Sequence, residues 1–458
     1  MWVVGLLTVL LQTGTAVAQA TPPAQLFKDG KGLFNRRLGM FVHWGIYAVD
    51  GYHEQQRWRQ RMSRADYATR VAGFTAEKFD ADALVRAAES AGAEYIVFTT
   101  KHHDGFCMWD TRMTDFKVTK SPCGRDLLKE LSEACRRRGM KLGLYYSNPD
   151  WNHPNGYIKA LKDDHQIPPE PGDEPDLEKY VVYVKAQIRE LMTNYGDICC
   201  LFWDIPPHVE RPDMNALVRE LQPGILIDDR GWGEPGDYTT PERDYRADTQ
   251  AAFAGRVEAC NSVGSQSWGY RIDEDYHTVG YLTRSIDRYL SRGGNFLLNV
   301  GPKADGTLTP QATRLLAEVG RWYAKVKESY RDVETVTKAV LDPSCIVTRR
   351  GETTYFHFCK GLDATGIDLK PLKEDPASVV LLNTGKALPH RVETLPRNWQ
   401  SGPSLHVWDI PADELANESI VIAATRKSRA EARADVPSAR GSTAASSATQ
   451  AAGAACRP

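Results

Sequence analysis

The sequence predicts an α/β protein, a (β/α)8-like TIM barrel followed by a small C-terminal β-sandwich, and three patterns carry that prediction. Runs that are apolar on both faces alternate with amphipathic helical stretches from about residue 35 to 330, as strands and crossover helices of a covered parallel sheet do. Polar and acidic side chains gather at the C-terminal ends of those runs, the face where barrels carry their functional loops. Beyond about residue 335 the pattern changes to brief strand-like pieces separated by Gly, Pro and Asp. A doubly wound sheet is the competing arrangement, but no Gly-rich phosphate loop follows the first run.

Taken in order, residues 1–20, MWVVGLLTVLLQTGTAVAQA, read as a secretory leader ending in Ala18-Gln19-Ala20. Gln12, Thr13 and Gly14 interrupt the apolar run, which is too short for a membrane span. The expected location is therefore secreted or periplasmic, without stable membrane insertion. Within the barrel, 21–332, the predicted strands are MFVHWG (40–45), EYIVFTT (94–100), KLGLYYS (141–147), ICCLFWD (198–204), GILIDDR (224–230) and NFLLNVG (295–301). Two of the helices between them show their buried faces clearly. Leu127, Leu128, Leu131 and Cys135 share one stripe, and Leu315, Val319, Trp322 and Val326 share another. The sandwich, 333–425, is assembled from CIVTRR, TTYFHFC, SVVLLN and SLHVWDI. From Arg426 to the end an Ala/Ser/Arg-rich stretch has no apolar anchors and reads as a disordered tail, 426–458.

Composition narrows the partners. A net charge of −2 with no long basic run in the body argues against nucleic acid. Eleven Trp and nineteen Tyr are enough for aromatic faces that suit sugar rings, although most such residues pack cores. Nine cysteines form no CxxC pair, so no disulfide framework is expected, and Cys199 and Cys200 read as small buried hydrophobes.

The chemistry sits at the strand ends. His43 and Trp44 end the first run, Lys101-His102-His103-Asp104-Gly105 the second, Tyr145 and Tyr146 the third, Asp204 the fourth, and Asp228, Asp229 and Arg230 the fifth. Adjacent histidines on an extended chain point to opposite sides, and no metal-ligand spacing occurs nearby, so neither a metal site nor a cofactor is expected. No GxSxG elbow offers a serine nucleophile, which leaves carboxylates. Asp204 is the sharpest candidate, because Pro206-Pro207 keeps it from capping a helix directly. Paired-carboxylate chemistry needs a second acid, and Asp228, Asp229, Asp237, Glu242 and Glu258 all qualify by sequence.

Five stretches together give the chain a family resemblance. GMFVHWGIYAV (39–49), YIVFTTKHHDGFCMWDT (95–111), RDLLKELSEACRRRGMKLGLYYS (125–147), SWGY (267–270) and GGNFLLNVGPKADGTL (293–308) resemble the α-L-fucosidases of glycoside hydrolase family 29. The resemblance implies an exo-glycosidase that removes terminal α-L-fucose from a fucosylated glycan or oligosaccharide with retention. It makes Asp204 the nucleophile. It makes Glu258 the acid/base, from the position of RVEACNSVGSQSWGY, with Val257 where the family carries Trp. It also implies sugar contacts from His43, Glu54, His102, His103, Tyr145, Phe202, Trp203 and Trp268. The chain departs from the family in having Asp204-Ile205 rather than Asp-Gly, in Phe202-Trp203 before the nucleophile, and in Glu54-Gln55 where a Glu-Trp pair is usual. These changes surround the sugar pocket and leave a different or modified sugar, or a carbohydrate-binding protein without catalysis, as the other readings.

Overall fold

The computed structural model describes residues 27, 32–161, 165–243, 250–370, 372, 375–393 and 403–426. The leader-like stretch and the Ala/Ser/Arg-rich tail beyond Arg426 lie outside the described residues. Seven parallel strands form one curled sheet: β1 (Leu38–Val42), β2 (Tyr95–Lys101), β3 (Lys141–Ser147), β4 (Ile198–Asp204), β5 (Leu226–Ile227), β6 (Glu258–Ser262) and β7 (Asn295–Val300). Their order is β5-β4-β3-β2-β1-β7-β6.

The gap between β5 and β6 is spanned by 238–242, through parallel bridges from Asp228 to Tyr238, Thr239 to Val257 and Glu242 to Cys260. Cys260 N donates to Pro241 O at 3.1 Å and Arg243 N to Cys260 O at 3.1 Å. This irregular stave completes a ring that the six predicted runs left open. Two parts of the ring were not legible as strands. EACNS is polar, and DYTTPE carries a proline that removes a ladder donor. The fifth predicted run, 224–230, shortens to two strand residues, which frees Asp228, Asp229 and Arg230 for the loop.

Among the described residues, eight α-helices accompany the strands: the short α1 (Gln56–Arg59) and α2 (Arg64–Ala68), then α3 (Ala81–Ser90), α4 (Leu127–Arg138), α5 (Leu177–Asn194), α6 (Pro212–Leu221), α7 (Val279–Ser291) and α8 (Pro310–Val326). Asp80, Asp126, Asp176, Thr278 and Thr309 each cap a helix by accepting from the third backbone N–H beyond them. Gly139 closes α4 in the left-handed conformation. Leu127, Leu128 and Leu131 of α4 are fully buried against the sheet, worth roughly 1.5–3 kcal/mol each.

Inside the ring, Phe41, Tyr95, Val97, Tyr145, Cys200, Phe202, Cys260 and Leu297 belong to a second apolar cluster, so the barrel is filled rather than hollow. The eight cysteines among the described residues are unpaired.

Beyond the barrel lie two antiparallel sheets. One has six strands, β8 (Glu334–Thr335), β9 (Cys345–Arg350), β10 (Thr353–Phe358), β12 (Ser378–Leu381), β13 (Lys386–Ala387) and β16 (Ile420–Thr425). The other has three, β11 (Ile367–Leu369), β14 (His390–Glu393) and β15 (Ser404–Val407). Phe356, Phe358, Leu369, Leu405 and Val407 share one core between the sheets, as in a sandwich. The barrel joins the sandwich at Asp287 of α7, fully buried, which pairs with His357 Nδ1 at 2.7 Å and accepts from Tyr330 Oη at 2.7 Å and Ser419 Oγ at 2.5 Å.

Candidate active site

At the C-terminal mouth of the ring a cavity of about 130 Å³ is lined by Phe41, His43, Glu54, Gln55, His102, His103, Tyr145, His165, Phe202, Asp204, Ile205, Glu242, Cys260 and Trp268. That volume is well below the roughly 300–1,000 Å³ of sites that hold drug-sized ligands, so it suits one small polar ring.

Asp204 ends β4 and its side chain is 12 % exposed. Its Oδ1 accepts from Arg230 Nη1 and from Ile205 N, both at 2.9 Å, and its Oδ2 accepts from Tyr145 Oη at 2.6 Å. Burial pushes this carboxyl upward, but the Arg230 charge and the Tyr145 hydrogen bond together hold it below the ordinary carboxylate value. Asp204 is therefore ionised at neutral pH.

The residue after it, Ile205, sits at φ +59, a left-handed conformation that a β-branched side chain adopts only under strain. A glycine would adopt this backbone conformation without strain. It also yields an expected result: Ile205→Gly is more stable than Ile205→Ala by about 1 kcal/mol, since Ala keeps the strain and Gly removes it. Urea unfolding of the two variants measures the difference, and an Ala variant as stable as the Gly variant removes the strain argument.

The histidines are neutral and oriented. His43 Nδ1 lies 2.6 Å from Asn299 Oδ1, and the Asn299 amide is fixed because its Nδ2 donates to Ser262 Oγ at 3.0 Å and Trp268 O at 2.7 Å. Those partners assign the proton to His43 Nδ1 and leave Nε2 as an acceptor. Burial lowers the His43 pKa to about 4. His103 Nδ1 meets Ser147 Oγ at 2.7 Å, and that hydroxyl donates onward to Pro149 O at 2.9 Å, so His103 is protonated on Nδ1 as well. Its Nε2 is 3.7 Å from Asp204 Oδ2, and burial holds the ring well below its usual pKa. Two acceptors side by side call for a hydroxyl from a ligand. His102 stacks on Tyr145 at 5.6 Å and 7°, and its Nδ1 is buried without a partner.

Both rings face the cavity, with centroids 4.1 Å apart, because the chain leaves the strand after Lys101. The expectation that adjacent histidines diverge fails for that reason. Donor atoms of His102, His103 and Asp204 lie within 4.8 Å of one another, but the positive charge beside Asp204 is already supplied by Arg230. Asp104 and Gly105 make the turn: Asp104 accepts from Phe106 N and Tyr67 Oη, and Gly105, at φ +83, leaves no room for a Cβ beside Asp150.

Trp268 roofs the cavity, stacked on His43 at 5.3 Å and 26°. It is fixed by Glu54, whose Oε2 accepts from Ser267 Oγ at 2.6 Å, Trp268 N at 3.0 Å and Gly269 N at 3.2 Å. Two residues expected here lie elsewhere. Trp203 points away from the ring interior and donates to Asn215 Oδ1 at 3.0 Å, since strand side chains alternate and Phe202 and Asp204 occupy the inner face. Glu258 begins β6, two residues before Cys260, and so lies one side-chain layer below the cavity floor. It is fully buried and accepts from Tyr95 Oη at 2.5 Å.

Of the other acids left open by sequence, Asp228 accepts from Trp203 N at 3.0 Å inside the protein and Asp237 pairs with Arg219. Asp229 borders a separate cavity. Glu242 alone joins Asp204 at the cavity. It ends the irregular stave, bonds the same Arg230 Nη1 that bonds Asp204, and is 38 % exposed at the rim. Desolvation raises the Glu242 pKa and the charge of Asp204 adds to that rise, against the pull of Arg230. Arg230 itself was legible only as the last residue of GILIDDR, Gln55 only through the Glu54-Gln55 departure, and His165 had no distinguishing signal.

A small polar cavity in which Asp204 and Glu242 have opposed pKa shifts, at the mouth of a parallel barrel, is the layout of a glycoside hydrolase. Comparison with known proteins specifies which. Residues 18–328 match the family model described as alpha-L-fucosidase, and the chain belongs to that family. The mouse tissue alpha-L-fucosidase is 30 % identical over 348 residues, 67 % of this chain and 74 % of that protein. The structure of α-L-fucosidase isoenzyme 1 from Paenibacillus thiaminolyticus shares 31 % identity with a TM-score of 0.72, covering 86 % of this chain and 97 % of that one. The Thermotoga maritima α-fucosidase solved in complex with fucose shares 26 % identity with a TM-score of 0.67, covering 89 % and 97 %.

Proposed function

We propose that this chain hydrolyses terminal α-L-fucose from glycans by a retaining double displacement, with Asp204 as nucleophile and Glu242 as acid/base. The observation that carries the reading is the shared Arg230 Nη1. Asp204 Oδ1 and Glu242 Oε1 both bond that single atom, so the two oxygens are no more than about 6 Å apart. Carboxyl pairs of retaining enzymes stand about 5–5.5 Å apart, against about 6.5–9.5 Å for inverting ones.

Asp204 attacks the anomeric carbon while Glu242 gives its proton to the departing glycosidic oxygen. Glu242, now a carboxylate, then takes a proton from the water that displaces the sugar from Asp204. Arg230 and Tyr145 hold Asp204 ionised for attack and stabilise it again as the leaving carboxylate. His43, His102 and His103, kept neutral by burial, offer ring nitrogens to the sugar hydroxyls, and contacts that tighten at the transition state accelerate the reaction. Phe41, Phe202 and Trp268 give the cavity an apolar side, which suits the methyl group of a 6-deoxy sugar. The leader-like residues 1–20 support export to a secreted or periplasmic location, and no helix of the described residues is long and apolar enough to cross a membrane.

The test is hydrolysis of an aryl α-L-fucoside followed by proton NMR of the first-formed sugar. α-L-Fucose as the initial product is expected. Initial β-L-fucose rules out the double displacement, and faster turnover of another aryl glycoside rules out fucose as the preferred sugar.

A further inference from the structure

We propose that the groove beside the fucose cavity binds an anionic leaving group, an oligosaccharide bearing a sulfate ester or a carboxylate. The proposal rests on the fucosidase reading of the cavity. The groove has a volume of about 1000 Å³ and runs between the loop after β1 and the loop after β3. Its wall is shared with the cavity at two points. Trp58 in the groove stacks on His165 of the cavity at 5.6 Å and 13°, and Arg59 Nε donates to Gln55 Oε1 at 3.2 Å. A glycan whose terminal fucose fills the small cavity passes its next sugars into this groove.

The chemistry of the groove is a half-buried Trp face between exposed cations. An indole face stacks on the C–H face of a pyranose, and Tyr52, 37 % exposed, provides a second ring. Arg59 and Arg61 are exposed and form no ion pair among the described residues. The acid in the lining is already engaged: Glu170 Oε1 accepts from Arg57 Nη2 and from Arg64 N, both at 2.6 Å. Among the described residues, the groove therefore presents the positive charge of Arg59 and Arg61 next to an aromatic platform. Arg61 at φ +51 and His165 at φ +50 are held in left-handed conformations on its two sides, the kind of local strain that collects at binding sites.

The experiment uses the full chain and four substrates: an aryl α-L-fucoside, and one oligosaccharide ending in fucose whose adjoining sugar is neutral, carboxylate-bearing or sulfate-bearing. Wild type is expected to show kcat/KM about tenfold higher on at least one charged glycan than on the neutral one, an advantage that shrinks with added salt. Which charged glycan leads separates sulfate from carboxylate. Arg59→Gln with Arg61→Gln removes the advantage, and Arg61→Gln alone, at a residue that bonds no cavity residue, reduces it while leaving the aryl fucoside rate unchanged. Trp58→Ala lowers all three glycans relative to the aryl fucoside by about fivefold. Equal rates on neutral and charged glycans in wild type, or an advantage that survives the double arginine variant, overturn the proposal. Titration with a fucose-free sulfated disaccharide, read by tryptophan fluorescence, tests the groove without catalysis. Saturation in wild type that is lost in the arginine variant supports the groove even if the aryl fucoside is not cleaved, an outcome that sinks only the fucosidase reading.

Discussion

Asp204→Ala is expected to lower kcat/KM on an aryl α-L-fucoside by about 10⁵-fold, the scale seen when a covalent nucleophile is removed. The variant keeps its fold, because Asp204 lies at the cavity rather than in the core and Glu242 still pairs with Arg230. Adding azide then separates a lost nucleophile from a damaged site. In the wild-type frame azide has no free approach to the anomeric carbon from the Asp204 side. In the Ala variant the vacated space admits it, and single displacement gives β-L-fucosyl azide. A variant that retains more than a hundredth of the wild-type rate removes Asp204 from the chemistry. Loss of rate with a matching loss of cooperative unfolding assigns the effect to structure instead.

What could be read in the sequence follows from how each element gains its stability. β2, β3, β4 and β7 are apolar on both faces because helices cover one side and the packed ring interior the other, so their runs match the observed strands closely. The stave 238–242 and β6 are held by backbone bridges and by inward polar groups, and carry no hydrophobic period to detect. That is why the acid at the cavity was one of five open possibilities rather than a distinct signal. Proximity to the SWGY stretch favoured Glu258, yet a residue at the start of a strand lies at the opposite end of the barrel from one at its finish. The same geometry separates Phe202 from Trp203: one residue of register moves a side chain from the ring interior to the helix layer. The histidine pair was legible as a pocket marker, but its convergence depends on the turn at Asp104-Gly105, which alternation along a strand does not describe.

The two glutamates provide the sharpest test, because they are expected to respond in opposite ways. Glu242→Ala should cut kcat/KM by about 10²–10⁴-fold for substrates with poor leaving groups, which need protonation, and far less for a dinitrophenyl fucoside, which does not. Azide should rescue this variant through the intact Asp204 and give α-L-fucosyl azide, the anomer opposite to that from Asp204→Ala. In wild type the raised Glu242 pKa sets the basic limb of the kcat/KM profile, and Glu242→Gln removes that limb. Glu258→Gln, in contrast, should leave kcat/KM within about threefold, since its carboxyl reaches only Tyr95 below the cavity floor. Its effect belongs to stability. Burial raises the Glu258 pKa from 4.5 to about 7, with the Tyr95 hydrogen bond opposing the rise. A group whose folded pKa is raised favours the protonated fold, so its stabilising contribution is complete below the unfolded pKa and fades as pH climbs through the folded value. Wild type should therefore lose up to about 3 kcal/mol between pH 4.5 and pH 8 from this one site, and Glu258→Gln, neutral throughout, should not. Denaturant midpoints measured across that range read the difference directly. A Glu258→Gln enzyme that has lost activity on poor leaving groups while Glu242→Ala retains it would reverse the assignment and place the proton donor below the floor of the cavity.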